Sequence, residues 1–375
     1  MRRIAAKFVP RPFKNDQKQR RVKVCLELRE KANEDPTFTG ISRIITGDER
    51  PSTWAKNYPT AAGSRQSPVD IVTSLATSDT SLDSKPLTWN YVPENTREVV
   101  NTGHGWRVDI DGEGSGYLIT RNLKIKVKLS LCYESVWGGG CIDPRILGLG
   151  IIRRTFGLSE RKLEDISVAR ALLHVLLGCS SKEELVGGPL EDSYRLQQFH
   201  CHWGFSSDKG SEHTVDGQSF AGELHLVHWN SSKYRSCGEA AGYPDGLAVL
   251  GVLLKVGKEN PELQKIVELI PSIYHRGQKI AVKEPIDPAS LLPETLSYWT
   301  YLGSLTTPPC SECVTWILFK EAIEVSEDQL AAFRSLRCYK PGEACPCDEL
   351  EGLIINNYRP PLPLGNRELR ECGSA

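Results

Sequence analysis

The chain has 375 residues, of which 39% are hydrophobic and 25% charged, the balance of a folded, water-soluble protein of one large or two ordinary domains. Its 46 basic and 47 acidic side chains leave a formal charge of −1, which excludes a whole-molecule field that would gather nucleic acid or anionic lipid. The opening stretch carries Arg2, Arg3 and Lys7 but no apolar run, and the most apolar runs elsewhere, such as 246–255, are far shorter than a membrane span. A cytoplasmic protein with no membrane association is expected, with its 12 cysteines as reduced thiols.

Residues 1–50 are polar, and Val22, Cys25 and Leu26 are spaced for one face of a short helix over 22–33. From 51 to 115 the chain reads as turns and short strands. Pro51-Ser52 and Gln66-Ser67-Pro68 punctuate it, and strands are predicted around Val99-Val100 and Val108-Asp109-Ile110. Residues 116–183 differ again. Lys124, Lys126 and Lys128 alternate with Ile125 and Val127, Gly138–Gly140 interrupt, and an apolar run spans Ala169–Leu177. Residues 184–375 return to short β-rich segments with Pro and Gly turns, and no repeat is evident. Cys310, Cys313, Cys338, Cys345 and Cys347 cluster near the end, but the last three lack a paired Cys-x2-Cys knuckle, so no structural zinc is expected there.

The chemistry concentrates in Gln198-Phe-His200-Cys-His202-Trp203. In a strand, residues i and i+2 face one side, so His200 and His202 aim two imidazoles at one place. A second strand, Ala221-Gly-Glu223-Leu-His225-Leu-Val-His228-Trp229, follows a turn-rich stretch and can return antiparallel beside the first. Three imidazoles with one open position make a catalytic zinc site, because neutral ligands leave the ion able to lower the pKa of bound water to about 7. Spacing alone leaves the third ligand open among His213, His225 and His228. Glu223 shares a face with His225 and can hold its other ring nitrogen, as Gln198 can for His200, which favours His225.

These residues fall in a longer pattern. Tyr194–Gly204, Gly210–Gly217, Glu223–Asn230, Gln66–Ile71, Asp245–Gly251, Ser304–Pro309 and Asn356–Pro361 together resemble the active-site strands of α-carbonic anhydrases. The likeness covers roughly 51–115 and 184–370. It implies a mainly β fold with short helices outside a twisted, mostly antiparallel central sheet of about ten strands. It also implies reversible, zinc-dependent hydration of CO2 to bicarbonate by zinc-hydroxide attack. The implied zinc ligands are His200, His202 and His225, supported by Gln198, Glu223 and the backbone carbonyl of Asn357. The implied catalytic residues are Thr306, whose proton goes to Glu212 so that its oxygen orients the nucleophile, and His104, a proton shuttle, since an unperturbed imidazole pKa of about 6.5 suits two-way transfer. Val227, Val249, Leu305, Val314 and Trp316 match the apolar wall that holds CO2, with Thr307 beside the substrate. The implied partner is the small-molecule pair CO2 and bicarbonate, acted on by a monomer with no nucleic acid and no membrane.

Three departures stand out. The domain is expected over 51–375, interrupted by an insertion at about 116–183 that has no counterpart in the resemblance. Residues 1–50 form an atypical extension: Gln19–Leu28, Asn33–Thr37 and Arg43–Glu49 resemble a mariner-type transposase fragment. The other acidic residues of that family's metal-binding triad are absent, so Asp48 is read as non-catalytic. Trp54 and Tyr58 match the later aromatics of the expected N-terminal segment, while the first aromatic pair is missing. Finally, Cys310 matches a cysteine that is disulfide-bonded in secreted members, but the partner position falls near Ala61, which supports a reduced protein.

Overall fold

The structure is a computed structural model that describes residues 51–110, 183–346 and 351–373. The helix expected over 22–33, the transposase-like blocks with Asp48, the Lys124–Lys128 alternation, the apolar run at 169–177 and Cys347 all lie outside the described residues.

A mixed sheet of 13 strands forms the body, with short helices around it. The long strands are β1 (Thr96–Asn101), β2 (Trp106–Ile110), β3 (Tyr194–Trp203), β4 (Gly222–Asn230), β5 (Leu247–Val256), β6 (Tyr298–Gly303) and β7 (Val314–Phe319). They lie in the order β1-β2-β3-β4-β5-β7-β6. Neighbours are antiparallel from β1 to β5 and between β7 and β6, but β5 pairs with β7 in parallel. The sheet is therefore larger than the expected ten strands and mixed, because the chain leaves β5 through a long excursion over 257–297 and re-enters by way of β6 before β7.

Side-chain alternation divides the sheet into two faces. On one, Leu224 and Leu226 of β4 join Leu250, Val252 and Leu254 of β5 and Phe199 and Trp203 of β3 in the larger core. On the other, Val227, Trp229, Leu247, Val249, Leu253, Val314, Trp316 and Leu318 form a second apolar cluster. A register shift between Leu196 and Gln198 lets Leu196 and Phe199 both reach the larger core while Gln198, His200 and His202 turn to the opposite face.

The helix α1 (Glu327–Arg334) locks β3 from behind. A capping box begins it: Ser326 Oγ accepts from the Gln329 amide, and Gln329 Oε1 accepts from the Ser326 amide. Its buried Phe333 packs on Trp106 and Trp203 with ring centroids 5.4 and 5.5 Å apart, and Arg334 Nε donates to the Gly204 carbonyl at 2.9 Å. No helix among the described residues is long and apolar enough to cross a membrane.

Candidate metal centre

Register brings the histidines together. His200 of β3 stands opposite His225 of β4, and His225 in turn stands opposite Gly251 of β5. The glycine leaves room for the site: a Cβ there would lie 2.7 Å from Leu318 Cδ1, whose side chain would have to shift, and 3.4 Å from Glu223 Oε1. With His202 two residues on, the rings of His200, His202 and His225 sit 4.7–5.3 Å apart, and one nitrogen from each lies within 4.8 Å of the others.

Each ring spends its other nitrogen on a fixed acceptor. His200 Nδ1 donates to Gln198 Oε1 at 2.8 Å, His202 Nδ1 to the Asn357 carbonyl at 2.6 Å, and His225 Nε2 to Glu223 Oε1 at 2.8 Å. A carbonyl or carboxylate can only accept, so a neutral ring must carry its proton there and keep a lone pair on the opposite nitrogen. His202 Nε2 is buried without a hydrogen-bond partner among the described residues. Burial, followed by the neighbouring imidazoles His202 and His225, holds His200 well below its ordinary pKa, and burial also lowers His202. Both are therefore neutral donors at pH 7. Three inward lone pairs, one of them buried and unpartnered, fit a tetrahedral ion with a fourth open position.

The two other candidates for third ligand are engaged elsewhere. His228 points to the opposite face of β4, where its Nε2 meets Tyr91 Oη at 2.8 Å and burial depresses its pKa to about 3. His213 Nδ1 contacts Glu223 Oε1 at 2.7 Å and its Nε2 contacts Tyr301 Oη at 2.6 Å. A second group of potential ligands, His213, Glu223 and His225, is thus already satisfied internally. Glu223 also accepts the amides of Glu212 and His213. Burial works to raise its pKa, but the imidazoles of His213 and His225 outweigh it and hold the carboxylate well below its usual range.

Around this centre the expected residues occupy distinct layers. A cavity of ≈ 380 Å³ opens onto His200 and His202 and is lined also by His104, Gln198, Thr307 and Asn357. His104 is exposed, its amide held by Thr102 Oγ1 and its carbonyl accepting from Asn357 Nδ2 at 2.8 Å. Val227, Val249 and Trp316 are direct cross-strand neighbours, Val314 follows in the same cluster, and Leu305 packs against it. The Trp316 ring lies 4.8 Å from that of His225, so the apolar row abuts the histidine row. Glu212 is fully buried, and its Oε1 accepts the Arg359 amide at 2.8 Å. The expected bond from Thr306 to Glu212 is not formed: Thr306 is buried, and Glu212 Oε2 has no hydrogen-bond partner among the described residues.

With this geometry in place, the comparisons are specific. The model of the eukaryotic-type carbonic anhydrases matches residues 49–129 and 165–373. The chain belongs to the eukaryotic-type carbonic anhydrase family. It is 41% identical over 321 residues to mouse (Mus musculus) carbonic anhydrase 1, covering 85% of this chain and 94% of the relative. It is therefore an enzyme of CO2 hydration. The carbonic anhydrase match leaves 1–48 and 130–164 outside it, the latter within the segment read as an insertion.

Sequence reasoning passed over several cavity residues of this carbonic anhydrase. Arg107 lines the cavity because it alternates with Trp106 and Val108, a period-2 signal present in the sequence. Thr53 and Asn57 at the rim left no comparable signal. The Asn357 side chain was also missed. Its Oδ1 accepts the Trp203 amide while its Nδ2 holds His104, tying the histidine strand to the rim.

Proposed function

We propose that His200, His202 and His225 hold a zinc ion and that the chain uses it for reversible hydration of CO2, with His104 carrying the proton to solvent. The observation that carries this reading is the buried, unpartnered His202 Nε2, flanked by two imidazoles whose outward nitrogens are fixed by Gln198 and Glu223. Zinc bound there would act as a Lewis acid that lowers the pKa of coordinated water to about 7 and so supplies a nucleophile at neutral pH.

The remaining work falls to the chain's own side chains. Gln198, Glu223 and the Asn357 carbonyl fix three ring tautomers, so the donor set is organised before the ion arrives. Val227, Val249, Leu305, Val314 and Trp316 offer an apolar surface that excludes water and suits an uncharged, nonpolar substrate. Thr307, on the cavity wall, stands on the substrate side. Glu212 Oε2, buried and without a hydrogen-bond partner among the described residues, would take the Thr306 hydroxyl proton once the two side chains meet. A threonine that donates to Glu212 must accept at its own oxygen, which orients the nucleophile toward CO2. His104, exposed on the cavity wall, exchanges the released proton with buffer.

A reduced, cytoplasmic setting is supported by the described cysteines, none of which is in a disulfide, and by Cys310 lying buried without a thiol partner. The deciding experiment is stopped-flow CO2 hydration by the full-length chain with zinc content measured on the same sample. Turnover with one zinc per chain is the expected result. A zinc-replete, folded protein without turnover overturns the reading.

A further inference from the structure

Arg107 stands on β2 directly opposite His200, and Asp109 stands opposite Gln198. Strand alternation sends Trp106, Val108 and Ile110 into the larger core, so Arg107 and Asp109 share the histidine face. The guanidinium is gripped on one edge: Nε donates to Asp109 Oδ1 at 2.6 Å and Nη2 to Asp109 Oδ2 at 3.0 Å. Among the described residues Nη1 has no partner, and the side chain is 41% exposed. The outer Nη1–Nη2 edge is therefore held in a fixed plane with its donors unspent, the arrangement that accepts two oxygens of a planar anion.

Among the described lining residues of the cavity Arg107 is the one lysine or arginine, and no aspartate or glutamate lines it, since Asp109 lies outside the wall. Asp109 balances the charge of the guanidinium, so what Arg107 offers an anion on this wall is its directed, unspent N–H donors.

We propose that the Nη1–Nη2 edge of Arg107 is an anion subsite of the cleft, which binds small planar oxyanions, bicarbonate and the carboxylates that compete with it, beside the three-histidine centre. The subsite rests on the metal-centre reading above, because Arg107 lines the same cavity as His200 and His202. CO2 has no charge for the guanidinium to recognise, so the subsite discriminates between the two reactants of one reaction. Asp109 acts here by orienting the guanidinium.

The test uses the full-length chain loaded with Co2+, whose visible spectrum reports ligands arriving at the centre without any turnover. Acetate is titrated into the wild type, Arg107→Gln and Arg107→Lys, with phenol as an uncharged control. Acetate is expected to bind about three- to tenfold more weakly to Arg107→Gln, with Arg107→Lys in between and phenol unchanged. Added inert salt is expected to narrow the gap between wild type and Arg107→Gln. Equal acetate affinity in wild type and Arg107→Gln overturns the subsite while leaving the metal centre intact. Equal weakening of acetate and phenol also overturns it, since that is distortion of the cleft. A chain that takes up no Co2+ sinks the metal-centre reading and the subsite with it.

Discussion

Glu223 is the most heavily engaged carboxylate of the site. It holds His225 Nε2 and His213 Nδ1 on one oxygen and two backbone amides on the other, all inside a fully buried environment. Removing it frees the His225 ring and leaves four donors without their acceptor. Glu223→Ala is expected to weaken zinc binding by about 10- to 100-fold, read by competition with a chromogenic chelator. His104 makes the opposite case, an exposed side chain whose removal spares the centre. His104→Ala is expected to keep full zinc content, to slow turnover in weak buffer, and to recover when imidazole is added. Unaltered turnover in dilute buffer would remove the shuttle role. His200 and His202 were legible as a pair because a strand's period of two needs no tertiary information. The third ring needed more than spacing, which left it open among His213, His225 and His228; Glu223 on the face of His225 favoured that residue, and the cross-strand register sets His225 against His200. Arg107 was overlooked for a different reason: an arginine alternating with apolar residues is the ordinary pattern of a half-exposed strand, and only the fold shows that its polar face is the cleft.

At the scale of elements, the parallel pairing of β5 with β7 could not be read locally. It depends on the excursion over 257–297, whereas the antiparallel return of β4 on β3 follows from a short turn-rich link. The short strand Glu184–Val186 carries a second feature that sequence gave no sign of. Just before it, Glu183 is buried, and its carboxyl accepts from the Val92 amide at 3.1 Å and from Asn95 Nδ2 at 2.9 Å. Burial raises its pKa from 4.5 to about 7; Asn95 and Val92 oppose the shift, Asp287 adds to it and Arg195 subtracts. The folded chain therefore holds this proton more tightly than the unfolded chain does. The contribution to stability is complete below about pH 4.5 and is lost as pH rises through about 7. Glutamine keeps the acceptor without the charge. Glu183→Gln is expected to gain about 1–3 kcal/mol on the wild type between pH 5 and pH 8, seen as a pH-dependent difference in urea midpoints. Parallel midpoint curves for the two chains would show that the carboxyl is ionised throughout.

The whole molecule poses the question of how a family domain tolerates added chain. The described residues on either side of the 111–182 segment are anchored to one place. Ile110 pairs with Thr96 across β1 and β2, and Glu183 binds Val92 and Asn95 in the same turn. On the neighbouring strand Asp109 stands opposite Gln198, while the Glu183 carbonyl accepts the Leu196 amide at 3.3 Å. The two ends of the segment are thus secured independently, by the sheet on one side and by a buried carboxyl on the other, at positions a short connection can span. Closing a loop costs only about 0.6 kcal/mol more for each doubling of its length, so added chain between fixed ends need not strain the domain. The family match continues on both sides of 130–164 and leaves that stretch unmatched. The histidine strand, the apolar row and the His104 rim all lie on elements outside that stretch. A chain lacking 130–164 is therefore expected to bind one zinc and to hydrate CO2 at a rate within about twofold of the full-length protein, with a thermal midpoint equal or slightly higher because a shorter loop closes at lower entropic cost. Loss of zinc together with a lowered midpoint would mean that the segment contributes to the fold that positions the histidines.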